Sequence, residues 1–282
     1  MKNHPVFNPQ AVREPAVAGM FYPGQRHALE QEVQQHLNAG VEVSAPAPKA
    51  VIAPHAGYLY SGPIAGSAFK PWRAWRGKIQ RVVLIGPSHH CYFQGLALSP
   101  HGQWDTPAGR FTVDAAAIEQ LARLPGVHFS AEAHREEHAL EVELAFLHAT
   151  LGPVPIVPIL TGEVDDDTVA EALGTVWGGP ETLIVVSSDL SHYYDYRTAQ
   201  KLDRATADAI EDLAPGEIHP PQACGRLAIQ GLLQVAADQK LTPLTVDLRN
   251  SGDTAGRKDR VVGYGAFAFC PPPPTNHPTP PA

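Results

Sequence analysis

Apolar residues along this chain alternate between helical spacing and short β-branched runs, and that alternation predicts most of the fold. Leu29, Val33 and Leu37 recur every four residues, so residues 27–37 should form a helix with one apolar stripe. KAVIAP (49–54), RVVLIGP (81–87) and GLALSP (95–100) read as strands. Pro63 is expected to open the helix after the first of them, where its missing N–H costs nothing. Asp114 caps a predicted helix over 114–123, with Ile118 and Leu121 inward. Leu140, Leu144 and Leu147 define another over 138–150. PIVPIL (155–160), a helix from Asp167 to Trp177, and TLIVVSSD (182–189) follow. Helices over 197–213 and 223–239, then strands near 244–248 and 261–269, complete the pattern.

Near-continuous apolar strands separated by helices describe a sheet covered on both faces. The expected fold is therefore α/β, a single domain with a central mixed, largely parallel sheet. The last two strand runs suit antiparallel pairing. Residues 1–12 read as an irregular extension, 13–270 as the domain, and 271–282 (PPPPTNHPTPPA) as a disordered tail too proline-rich to pack.

Composition narrows the function. A net charge of −8 without a basic block speaks against nucleic acid as a partner. Fourteen histidines stand against three cysteines, which form no CxxC pair, so the reducing cytoplasm is the expected location and a disulfide scaffold is not. The start lacks an apolar leader and no window reaches the ~20 apolar residues of a membrane helix, so no membrane partner is expected. There is no HExxH, no GxSxG elbow, no Walker loop and no GxGxxG turn.

Ligands of open α/β sheets bind beyond the carboxyl ends of the strands. Three of the predicted strands end there in histidine: His55-Ala56-Gly57-Tyr58, Ser88-His89-His90, and Asp189-Leu190-Ser191-His192. Adjacent loop residues point apart, so one of His89 and His90 should coordinate, and His89 is preferred. Cys224 falls at the expected start of the 223–239 helix, where free N–H groups and Arg226 favour a thiolate. Position alone slightly favours the other reading, a small buried apolar residue. Cys91 and Cys270 are left as structural. His138 and Glu141, three apart on a predicted helix, would share a face beside Glu136 and Glu137. They could support the ligands, or form a solvated acidic first turn.

At these residues the chain resembles the Memo family, known in prokaryotes as protein B of the AmmeMemoRadiSam system. The resemblance runs from about Arg13 to Phe269. It rests on REPAVAGMFYP, IAPHAGYLYSG, IGPSHH, WDTPAGRFTVD, EEHALEVELAFL, SSDLSHY, the CGR at 224–226, and NSGDTAGRKDRVVGYGAF. It implies a fold related to class III extradiol ring-cleaving dioxygenases. It also implies an iron or copper site held by His55, His89 and Cys224, with Asp189 and His192 in the same pocket. A thiolate in place of the dioxygenases' carboxylate shifts metal preference toward softer ions, so catechol cleavage does not follow, and zinc is a further option. The expected activity is that of a metal-binding redox protein in which His192, oriented by Asp189 or a backbone group, carries a proton, with Tyr58 and Tyr193 lining the pocket. The alternative is a non-catalytic cleft that binds a peptide or small anion. The family's system name implies radical SAM and AMMECR1-like partners.

Overall fold

A computed structural model describes residues 6–42 and 47–272. The tail from residue 273 onward lies outside the described residues. In chain order the elements are β1 (Asn8–Arg13), α1 (Arg26–Ala39), β2 (Ala50–Ala53), α2 (Tyr58–Phe69), β3 (Arg81–Pro87), β4 (Leu96–Leu98), β5 (His101–Thr106), β6 (Gly109–Thr112), α3 (Ala115–Leu121) and β7 (Val127–Phe129). Then come α4 (Ala131–Arg135), α5 (Leu144–Thr150), β8 (Ile156–Thr161), α6 (Asp166–Thr175), β9 (Thr182–Ser187), β10 (His192–Tyr194), α7 (Tyr196–Glu211), α8 (Arg226–Asp238), β11 (Thr242–Asn250) and β12 (Val261–Cys270).

The core is a nine-stranded mixed sheet whose centre, β2-β9-β3-β8, is parallel. On one side β4 joins β8 antiparallel and carries β7. On the other, β12 runs antiparallel to β2 and is flanked by β11 and β10, both antiparallel to it. Every residue of β2, β8 and β9 is buried, the condition for strands covered on both faces. Two helix groups provide the cover. One is α1, α2 and α5; the other is α6 on α8, with α8 laid against β3 and β9. The stripe predicted for α1 is its buried face, and Asp114 caps α3 by accepting from Ala117 N–H.

Three expectations need correction. Residues 8–13 are strand β1, paired in parallel with β5 in a small separate sheet that β6 completes, rather than part of an irregular extension. Its first three residues are exposed, so no hydrophobic pattern marks it. Pro63 lies inside α2, which begins at Tyr58. The carbonyl that loses its i+4 donor belongs to Leu59, a residue that is 65% exposed. The helix expected from residue 138 starts at Leu144, and residues 139–143 are turns. That last difference shapes the site.

Candidate metal centre

Neighbouring strands β2, β9 and β3 deliver His55, Asp189 and His89 two residues past their carboxyl ends. The turn before α5 brings a third imidazole, His138. One ligand atom from each of His55, His89 and His138 lies within 4.8 Å of the others, a group able to hold a metal ion. The ring centroids are 5.1 Å apart for His55–His89, 5.5 Å for His55–His138 and 4.6 Å for the stacked His89–His138 pair.

Two of the rings, those of His89 and His55, are held from behind. Glu137 is 2% exposed; its Oε2 accepts the His89 backbone N–H, and its Oε1 lies 2.8 Å from His89 Nδ1. The same Oε1 accepts from the N–H groups of His138 and Ala139, both at 2.9 Å, which fixes the turn. With Nδ1 engaged by the carboxylate, the Nε2 of His89 is left for the cluster, an arrangement that orients imidazoles in metal sites. Burial works against charge on both partners, but their hydrogen bond and mutual attraction win. The His89 pKa is raised, and the Glu137 carboxyl is held down at about 2.

His55 is buried. Its N–H donates to Asp189 Oδ1 at 2.8 Å, its Nδ1 lies 2.8 Å from Ser187 Oγ, and its Nε2 is 3.3 Å from Cys224 Sγ. Burial, then the neighbouring His89, lowers its pKa to about 3. Burial and His55 lower that of His138 to about 4. Both rings are therefore neutral near pH 7, the state in which imidazole binds metal.

Cys224 stands next to His55, where a Gly follows it for a steric reason. A Cβ on Gly225 would lie 2.7 Å from Ser187 O and from the Ser188 Cβ, so the start of α8 can press onto the end of β9. The expected thiolate is not favoured there. Burial, then the charge of Asp189, pushes the Cys224 thiol up to about 12, although Asp189 N–H donates to Sγ at 3.3 Å. The helix start does not outweigh desolvation. Among the described residues the three-ligand group contains His138 rather than Cys224.

The cluster opens into a cleft of about 820 Å³, lined also by Asp189, His192, Tyr193, Phe21, Tyr60 and Tyr264. His192 is oriented by a backbone group: its Nδ1 lies 2.8 Å from Leu190 O. Burial raises the pKa of Asp189, whose Oδ1 is occupied by the His55 N–H. Tyr193 has a left-handed backbone (φ 64°) and a largely exposed ring, an outlier of the kind that gathers at functional sites. The cleft wall over residues 255–260 was not foreseen. There Arg257 pairs with Asp259, while Arg260 lies 4.8 Å over the Tyr193 ring and, among the described residues, has no ion pair of its own. Cys224 faces a second cavity of about 470 Å³, shared with His89, His90 and Cys91.

Two expected pocket residues lie elsewhere. Tyr58 is buried and donates to Val142 O at 2.6 Å, beneath the cleft rather than in it. Glu141 does not share a face with His138. Because residues 139–143 are turns, its carboxylate points the other way, to Arg13 (2.7 Å), the Ala16 and Val17 N–H groups, and the Tyr22 hydroxyl (2.6 Å). Glu137 is the supporting acid that the spacing argument did not single out. The signal was its place beside His138 in Glu136-Glu137-His138.

Fold and site together define a single-domain mixed α/β protein with a histidine cluster, able to hold a metal, at the carboxyl edge of its sheet. Residues 13–268 match the family described as Memo-like protein, and the chain belongs to that family. It is 33% identical over 277 residues to a MEMO1 family protein of Thermotoga maritima, covering 89% of this chain and 97% of the relative. Identity is 34% over 271 residues to one of Aquifex aeolicus (92% and 99% covered) and 35% over 270 residues to one of Methanococcoides burtonii (91% and 99%). A solved structure of an uncharacterized Escherichia coli K12 protein aligns with a TM-score of 0.46 at 15% identity, covering 77% of this chain and 98% of that one, a likeness too weak to bear on function. Among the described residues no helix is long and apolar enough to cross a membrane.

Proposed function

We propose that this protein binds one metal ion through His55, His89 and His138, with Cys224 as the neighbouring soft donor, and acts on a small molecule held in the cleft. The observation that carries this reading is the convergence of three imidazole nitrogens within 4.8 Å of one another. Three nitrogen donors suit iron, copper or zinc, and a sulfur beside His55 favours the softer choices among them. A metal held there supplies Lewis acidity or, as iron or copper, one-electron chemistry toward a small substrate or O2.

The protein's own residues supply the rest. Glu137 and the Ser187 hydroxyl orient the rings. His192, fixed through Nδ1, has no hydrogen bond at Nε2 among the described residues, which leaves that nitrogen to give or take a proton at the cleft wall. Zinc, iron(II) and copper titrations of metal-free protein, compared with His55→Ala, His89→Ala and His138→Ala, test the reading. Tight one-to-one binding lost in all three variants supports it; unchanged binding in all three overturns it.

A second reading, a cleft that binds an anionic ligand or peptide without catalysis, draws on one observation. Arg260 lies on the cleft wall, over the Tyr193 ring and, among the described residues, without an ion pair, so it is available to a carboxylate or phosphate entering the cleft. Ligand binding by metal-free protein that Arg260→Gln abolishes supports this reading. Metal-dependent O2 consumption counts against it. The cytoplasmic location stays as a proposal from cysteine usage, tested by cell fractionation, and the radical SAM and AMMECR1-like partners as proposals from the family resemblance, tested by co-purification from source cells.

A further inference from the structure

Ser187 Oγ has three polar neighbours: Ala139 O at 2.6 Å, His55 Nδ1 at 2.8 Å and Glu143 Oε1 at 2.9 Å. A hydroxyl has one proton to give and two lone pairs to offer. A backbone carbonyl only accepts, so the Ser187 proton goes to Ala139, the shortest of the three contacts. Ser187 must then accept twice, from an N–H on His55 Nδ1 and from an O–H on Glu143. We propose that Ser187 and Glu143, the latter as a neutral carboxylic acid, lock His55 in its Nδ1–H tautomer and so present the Nε2 lone pair to the metal group.

The alternative assignment is costly. An ionised Glu143 would draw the Ser187 proton to itself and leave two oxygens facing each other at 2.6 Å with no hydrogen between them. It would also be an anion with no exposure whose Oε2 has, among the described residues, no hydrogen-bond partner. As a neutral acid, Glu143 leaves only a carbonyl-type oxygen single, a smaller cost. Glu143 lines neither cavity; it is a positioning residue that acts through Ser187.

The inference rests on the proposed metal site only for the purpose of the Nε2 lone pair; the tautomer belongs to the metal-free protein. Long-range 1H–15N correlation on the metal-free full chain with 15N-labelled histidine reads it, His55 being identified by its loss in His55→Gln. The expected result is a protonated Nδ1 and a bare Nε2, with a protonated-carboxyl stretch in the infrared spectrum at pH 7 that disappears in Glu143→Gln. That variant keeps the tautomer and near-native zinc affinity, because an amide N–H also donates to Ser187. Ser187→Ala loses the lock, shows the Nε2–H form, and binds zinc about 10- to 100-fold more weakly. A wild-type His55 protonated on Nε2, or no protonated-carboxyl band assignable to Glu143, overturns the proposal. The expected tautomer together with no zinc binding by wild type would sink the metal site and leave this inference standing.

Discussion

Glu137 and Glu141 stand four residues apart, and both are almost fully buried, yet their carboxylates hold different parts of the molecule. Glu137 faces the cluster, where it holds His89 by ring and backbone and fixes the turn that carries His138. Glu141 faces away and staples the N-terminal segment through Arg13, two backbone N–H groups and the Tyr22 hydroxyl. A helix over these residues would have put His138 and Glu141 on one face. A turn sends them apart, so one acid belongs to chemistry and the other to stability. Burial does not distinguish them. Their partners do.

Substitutions on the two sides should separate accordingly, and the largest effect falls on the side away from the cleft. Glu141→Ala leaves the buried Arg13 guanidinium with carbonyl acceptors but without its carboxylate partner, so stability should fall by about 3 kcal/mol while the metal affinity of the folded fraction is unchanged. Thermal unfolding beside a metal titration checks both. On the cleft side, His138→Ala should weaken metal binding by about 100-fold or more, roughly 2.7 kcal/mol, with little change in melting temperature. An equal loss of stability would mean that His138 is a packing residue.

Glu137→Gln should lie between them, with affinity reduced about 10- to 100-fold because His89 loses its orienting carboxylate. It also carries a pH signature. A carboxyl whose folded pKa is depressed contributes stability above its unfolded value and loses it as pH falls through the folded one. With Glu137 held at about 2, that contribution should drain away between about pH 4.5 and 2. The Gln variant should show a flatter acid limb in denaturant midpoints over that range. The smallest effect is expected for Cys224→Ser. Its sulfur lies outside the three-imidazole group, so zinc affinity should change by less than about tenfold, roughly 1.4 kcal/mol. A drop as large as that of His138→Ala would promote the sulfur to a principal ligand.

The sheet and half of the centre were legible because their signals are local. β2, β3 and β9 are short apolar runs, and the residues that matter follow two positions past their ends. His55, Asp189 and His89 could therefore be placed on one rim from the residues alone. β1 was not legible, because exposed residues held by backbone pairing carry no periodicity. His138 reads from the sequence as a supporting residue for a related reason. Leu140, Leu144 and Leu147 keep helical spacing through a segment that is turned by Glu137, a contact to a residue 48 positions away in sequence. Cys224 shows the remaining limit. A thiol near a helix start reads as activated, but whether it is desolvated depends on how closely α8 packs against the end of β9, which only the folded chain reveals.

The most direct measurement is a cobalt(II) titration of the metal-free full chain followed by absorbance, run side by side on wild type, His138→Ala and Cys224→Ser. The account predicts one ion per chain, visible bands that persist in Cys224→Ser, and their loss in His138→Ala. Saturable binding that is indifferent to His138, or no binding at all, would contradict it.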